Sequence, residues 1–287
     1  MKLAVITDEI SQDLKKAIEL SKKYNLQGIE LRSVYEKNVH ELDMKTVKEI
    51  KAMADTNRLE ICAISAPFFK CNIDSDKEYL EHLEILKKSI EYGQIMGAGI
   101  IRGFSFWKTG AFEDYYERII EKFQKAIEIV KKENVILALE SDPSVFATNG
   151  KKLNRLVKGL NCSNIKVLWD PGNDIFDPDG EIPYPDGYKE VRDEVVHVHL
   201  KDAVIKDGHP VSVPIGKGAV QYVQQLQHLV KDGYDGYMVL ETHYRPRYEL
   251  SEELLAKPKG SQFSYLGDIA TEESLINLHK LLAASIS

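Results

Sequence analysis

Eight short apolar runs alternate with eight longer amphipathic stretches from one end of the chain to the other, and few folds accommodate that rhythm. The apolar runs are Leu3–Ile6, Gly28–Leu31, Leu59–Ile64, Ile100–Phe104, Val135–Leu139, Ile165–Trp169, Val195–Leu200 and Tyr237–Leu240. They are rich in β-branched residues and lack polar alternation, as strands buried on both faces should. After the first run, Leu14, Ala17, Ile18 and Leu20 recur at helical spacing, with Ser11 as the expected N-cap. Further helices are expected around Val47–Ala54, Leu80–Met96, Glu113–Lys132, Lys151–Val157, Val220–Val230 and Glu272–Ala284, with a weak one near Tyr188. The pattern predicts one (β/α)8 barrel spanning residues 1–287. An open doubly wound sheet would carry a Gly-rich turn after its first strand. Here that turn reads TDEISQD, without glycine. The stretches Asp170–Gly187 and Tyr244–Gly267 read as long loops at the end of a barrel where active sites lie.

A net charge of −7 argues against a nucleic-acid partner, which needs cations to displace counterions. Three cysteines at irregular spacing make neither a disulfide framework nor a zinc ribbon. The N-terminal apolar run turns polar after six residues, and no run approaches the ~20 residues of a membrane span. A cytoplasmic protein without membrane contact is expected.

Four strands carry a polar residue at or near their last position, where apolar character stops: Glu140, Asp170, His199 and Glu241. Strand residues two apart share a face. Glu140 therefore lies on the face of Ala138, Asp170 on that of Leu168, His199 on that of His197, and Glu241 on that of Val239. If these faces point inward, three carboxylates and an imidazole converge at the mouth of the barrel. Carboxylates so crowded need a counter-charge, and a divalent cation supplies one. Three oxygen ligands and one nitrogen suit Mn²⁺, Co²⁺ or Mg²⁺, with Zn²⁺ also possible. Other candidates at strand ends are Glu30, Arg32, Arg102 and the aromatic group Phe104, Phe106 and Trp107. Lys201 is a candidate partner for a substrate oxygen. His197, one layer deeper than His199, reads as a packed or supporting histidine, and His209 and His243 read as surface histidines.

The strings LALESDPSVFATNG, VLWDPGN, VHVHLKDA, PIGKGAV and GYDGYMVLETHYR resemble the sugar phosphate isomerase/epimerase family, the xylose isomerase-like barrels. The opening TDEIS and GIELR resemble its first two strands. The resemblance implies that Glu140, Asp170, His199 and Glu241 are metal ligands. It also implies that Glu140 and Glu241 move a proton next to a carbonyl through a metal-stabilised enediolate. Return of the proton to the opposite face gives an epimerase; transfer to the neighbouring carbon gives an isomerase. Loss of a β-hydroxyl would instead give a dehydratase, and a non-catalytic sugar-binding barrel is the third reading. Substrate contacts fall to Lys201, Asn173, Arg102, Glu30 and Trp107. Asn173 stands where many relatives have histidine. Phe146 and Ile205 stand where ketose 3-epimerases carry Glu and Arg, which argues against a free ketose as the 3-epimerisation substrate. A small sugar or polyol is the expected partner, with a homodimer possible through exposed aromatics in the long loops.

Overall fold

The β-branched runs become strands, and the strands close on themselves. A computed structural model describes residues 1–286 and leaves Ser287 outside the described residues. The barrel strands are β1 (Lys2–Ile6), β2 (Gly28–Leu31), β3 (Glu60–Phe68), β4 (Ile100–Gly103), β5 (Ile136–Glu140), β6 (Ile165–Trp169), β7 (Val195–Leu200) and β8 (Tyr237–Leu240). Each pairs in parallel with its neighbour in sequence, and β8 pairs with β1, so no edge is left unpaired. Three strand pairs shift register, at Ile29/Glu30, Ile64/Phe68 and Val167/Leu168.

The helices between strands follow from caps as well as spacing: α1 (Leu14–Lys23), α2 (Met44–Thr56), α3 (Asp76–Met96), α4 (Phe112–Glu133), α5 (Gly150–Leu160), the single turn α6 (Tyr188–Val191), α7 (Tyr222–Lys231) and α8 (Gly267–Ile286). In α3 the Ser75 side chain accepts a hydrogen bond from the Glu78 N–H, and Gly97 ends the helix at φ +83°. α1 begins later than the sequence predicts. Residues Thr7–Glu9 wind into a 3₁₀ turn first, so Asp13 rather than Ser11 caps the helix, accepting from the Lys15 N–H. The Ser11 hydroxyl oxygen instead accepts from the Asp13 N–H at 3.1 Å. Among the described residues, no helix is long and apolar enough to cross a membrane.

The two long loops are more ordered than their composition suggests. Pro171–Asp174, Glu252–Ala256 and Gly260–Ser264 form short helices. After β7 the chain makes a two-stranded antiparallel hairpin, Asp202–Lys206 with His209–Val213. Asp207 and Gly208 turn it at φ +51° and +82°, a left-handed pair suited to a two-residue hairpin.

Asp202 ties that hairpin to the barrel. Its carboxylate accepts from the backbone N–H groups of Ala203, Gly216, Gly218 and Val220 at 2.9–3.1 Å. Gly218 has no room for a side chain there, because a Cβ would lie 2.0 Å from Asp202 Oδ1. Asp202→Ala should therefore strand several donors of the 216–220 turn and cost roughly 3 kcal/mol. In urea titrations the transition midpoint should fall with little change in slope.

Candidate metal centre and the cavity above it

Parallel strands of alternating parity bring the four polar strand ends to one place. Donor atoms of Glu140, Asp170, His199 and Glu241 all lie within 4.8 Å of one another, and all four residues are buried. Register makes this possible: Glu140 lies beside Leu168 of β6, and His199 beside Val239 of β8. Asp170 follows β6 directly and its Oδ1 also accepts from the Gly172 N–H, so it caps the next turn and faces the centre.

His199 is held from below. Its Nε2 lies 3.1 Å from Glu30 Oε1, while Nδ1 has no hydrogen-bond partner and lies 3.4 Å from Glu140 Oε1 and 3.5 Å from Glu241 Oε2. Glu30 also meets His197 Nε2 at 2.6 Å and accepts from the Ser65 hydroxyl. Burial opposes ionisation of Glu30, but His199 and His197 outweigh it and hold the carboxyl well below its usual range. A carboxylate gripping the far nitrogen of an imidazole is the usual way a protein aims a histidine at a metal.

The electrostatics fit a cation. Six buried carboxyl groups (Asp8, Glu9, Glu30, Glu140, Asp170 and Glu241) gather here with four buried permanent cations (Arg32, Arg102, Lys201 and Arg245). Lys201 Nζ lies 2.7 Å from Asp170 Oδ2 and 2.6 Å from Glu241 Oε2. Arg32 reaches Glu241 at 2.6 Å, Glu9 at 2.7 Å and Asp8 at 3.0 Å. Despite these partners the set holds more acid than base. Burial drives the Asp170 carboxyl up to about 7, more than Lys201 draws it down, with Glu241 and Glu140 pushing the same way. Burial also opposes ionisation of Glu241, yet Lys201 and His243 win and hold it well below the usual carboxylate range. Burial resists protonation of His199, but Glu30 and Glu140 raise its pKa well above the ordinary imidazole value. One divalent ion among the four ligands would replace these protons and satisfy His199 Nδ1.

Above the four ligands opens a cavity of about 310 Å³. Arg102, Lys201 and Trp107 border it, as the sequence suggests, and Glu140 and Glu241 form its floor. Arg102 stands 3.3 Å from Glu140 and 3.8 Å from Glu241. Two expected substrate contacts have other partners. Glu30 lies fully buried below His199, and Asn173 donates from Nδ2 to Glu140 Oε1 at 3.2 Å and to the Ser141 carbonyl at 2.8 Å. Neither borders the cavity. The aromatic group divides: Phe104 and Trp107 border the cavity, while Phe106 turns into the core and stacks on Phe69 at 4.0 Å. Phe146 is fully buried and Ile205 points outward on the hairpin, so neither takes the place of a polar substrate contact.

His243 corrects a sequence reading. It is no surface histidine: its Nε2 lies 3.4 Å from Glu241 and 3.5 Å from Glu9, and it borders the cavity. Lys70, His40, His82 and residues Leu255–Lys259 also border it, and no strand-end signal marks them in the sequence. His209 remains exposed.

Residues 18–260 match the family described as the xylose isomerase-like TIM barrel. The chain belongs to that family. It is similar to L-ribulose-5-phosphate 3-epimerase UlaE of Escherichia coli K12, with 24% identity over 184 residues, and the match covers 63% of this chain and 63% of UlaE. The crystal structure of IolI protein with a zinc atom aligns at TM-score 0.76 and 16% identity, covering 99% of this chain and 98% of IolI. D-psicose 3-epimerase of Clostridium cellulolyticum H10 aligns at TM-score 0.74 and 15% identity, covering 99% of each chain. At such identities the structural matches establish the barrel.

In this xylose isomerase-like barrel the cavity is roofed by the segment after β8. Lys70 Nζ pairs with Asp142 Oδ2 at 2.7 Å and donates to the Ala256 carbonyl of the roof at 3.2 Å. Burial alone would raise Asp142, but Lys70 and the Ser144 hydroxyl and N–H bring its carboxyl down to about 2. A depressed carboxylate stabilises the fold only while it is ionised. Its contribution is complete above the ordinary value of 3.8 and fades as pH falls toward about 2. Asp142→Asn should cost on the order of 2 kcal/mol at neutral pH. Denaturation curves of wild type and variant should converge between about pH 4 and pH 2.

Proposed function

We propose that this chain is a divalent-metal-dependent isomerase or epimerase of a small sugar, ketose or polyol derivative. The reading rests most on the placement of Glu140 and Glu241. They flank His199 Nδ1 at 3.4 and 3.5 Å and form the floor of a cavity of small-molecule size. Names among the relatives agree: UlaE is an L-ribulose-5-phosphate 3-epimerase, and D-psicose 3-epimerase shares the fold.

Glu140, Asp170, His199 and Glu241 would hold the ion, which would supply Lewis-acid polarisation of a substrate carbonyl and offset the charge that develops there. Mn²⁺, Co²⁺ and Mg²⁺ suit the three carboxylates, and zinc in the IolI structure keeps Zn²⁺ in contention. The chain's own groups supply the proton chemistry. Burial opposes ionisation of both glutamates, but Arg102 and His199 beside Glu140, and Lys201 and His243 beside Glu241, keep them ionised and able to accept a proton. Arg102, within 4 Å of both, can follow negative charge as it passes from one to the other. Lys201 donates to Glu241 and fixes its orientation. Asn173 does the same for Glu140. The roof and the aromatic pair Phe104 and Trp107 limit water, which protects a carbanion-like intermediate from side reactions.

The test is solvent deuterium exchange next to the carbonyl of a ketose panel, read together with bound metal. The metal-loaded protein should carry about one ion per chain and exchange a proton on at least one ketose. Glu140→Gln and Glu241→Gln should each slow exchange by roughly a hundredfold or more. Metal binding without exchange on any panel member would remove the isomerase or epimerase reading and leave the dehydratase and sugar-binding readings. No metal after reconstitution would remove the four-ligand centre.

A further inference from the structure

The cavity has two halves of opposite character. Its floor is acidic, but the route from floor to mouth is a ladder of cations and rings. The Arg102 guanidinium lies 4.9 Å from the Phe104 ring centroid, and Lys70 Nζ lies 4.4 Å from the same centroid. Lys70 lies 5.6 Å from the Trp107 ring centroid, and Lys257 lies 5.8 Å from it. Along this ladder the inner cations are answered by acids: Arg102 by Glu140 at 3.3 Å and Lys70 by Asp142 at 2.7 Å. Lys257, the outermost rung, has an ion pair with no described carboxylate.

Three more groups face the same end. Lys259 borders the cavity and pairs with Glu41 at 2.6 Å, which does not border it. His82 accepts from the Phe69 backbone N–H through Nδ1 at 2.8 Å, so its neutral ring carries hydrogen on Nε2 and has a donor left to offer. His40 borders the cavity beside them. Burial lowers both imidazoles against a neighbouring acid, Glu78 for His82 and Glu41 for His40; His40 and Lys257 add to burial at His82, which falls to about 4, and Lys259 adds to it at His40. Lys257 and Lys259, with the Nε2–H that His82 leaves free, together offer positive charge and a donor to an anion at this end of the cavity.

Building on the isomerase or epimerase reading, we propose that the substrate carries a terminal anionic group, a phosphate monoester or a carboxylate, which docks on Lys257, Lys259 and His82 at the mouth while its polyol end reaches Glu140 and Glu241. The acidic floor would repel such a group, so the ladder also sets which end of the molecule enters first. Charge-assisted hydrogen bonds from an ammonium to a phosphate or carboxylate are stronger than neutral ones, and the Trp107 face holds the Lys257 ammonium near the opening.

The experiment compares a neutral ketopentose, its 5-phosphate and a ketouronate in the deuterium-exchange assay with the metal-loaded full chain. Inorganic phosphate serves as a competitor at fixed ionic strength. One anionic substrate should be preferred over the neutral one by at least tenfold in kcat/KM, carried by KM, and phosphate should compete with it. Preference for the phosphate or for the ketouronate decides which anion the mouth takes. In Lys257→Gln/Lys259→Gln the anionic-to-neutral ratio should fall at least tenfold and phosphate competition should weaken. Lys257→Arg should retain both, and Lys257→Glu should invert the preference. Metal content and melting temperature verify that each variant folds. Equal use of neutral and anionic ketoses, or a ratio unmoved by the double variant, overturns the anionic-tail inference while leaving the Glu241-dependent exchange intact. Exchange insensitive to Glu241→Gln overturns the underlying reading instead. Where no ketose exchanges, calorimetric titration of the wild type with inorganic phosphate decides: binding weakened by the double variant supports the subsite, and no binding overturns it.

Discussion

Like charges that must share a few ångströms of buried space govern this end of the barrel. Glu140, Asp170 and Glu241 are brought together by strand parity and register, not by mutual attraction. Everything around them reads as a response to that crowding. Lys201 sits between Asp170 and Glu241, Arg32 braces Glu241 from another side, Arg102 braces Glu140, and Glu30 holds His199 from beneath with the free imidazole nitrogen turned toward the carboxylates. The closed barrel can hold these charges because its strands are paired on both sides and a large apolar core packs around them.

Much of this was legible from periodicity alone. Each barrel strand carries an apolar run marked in the sequence; Glu140, Asp170 and Glu241 directly follow their runs, and His199 is the next-to-last residue of its own. Helix starts were less visible because caps and local turns decide them: the 3₁₀ turn at Thr7–Glu9 moves the first cap from Ser11 to Asp13. The hairpin after β7 had a signal, Asp207–Gly208 between alternating residues, that the loop-like composition around it masked.

The site was legible where strands build it and illegible where loops do. Parity could place Glu140 and Glu241, because a strand dictates the direction of its side chains. Nothing comparable fixes His243, Lys70 or the Leu255–Lys259 segment, whose positions depend on tertiary contacts such as the Lys70 bond to the Ala256 carbonyl. Glu30 and Asn173 show a different difficulty. Neither borders the cavity, and each spends its polar atoms on a neighbour, Glu30 on two histidines and Asn173 on Glu140. Position along a strand says which side a residue faces and not which partner satisfies it.

The roof segment has a consequence for how such a barrel changes over time. Strands contribute the acidic floor, whereas Leu255–Lys259, which border the mouth, lie in one short stretch after β8. That stretch meets the rest of the protein through the Lys70 bond to Ala256 and the Lys259 pair with Glu41. On the proposed reading, the glutamates that move the proton lie at strand ends, while two of the three groups that dock the anion, Lys257 and Lys259, lie in this stretch. A handful of substitutions in one exposed turn could redirect the barrel to a differently charged molecule without disturbing a single strand.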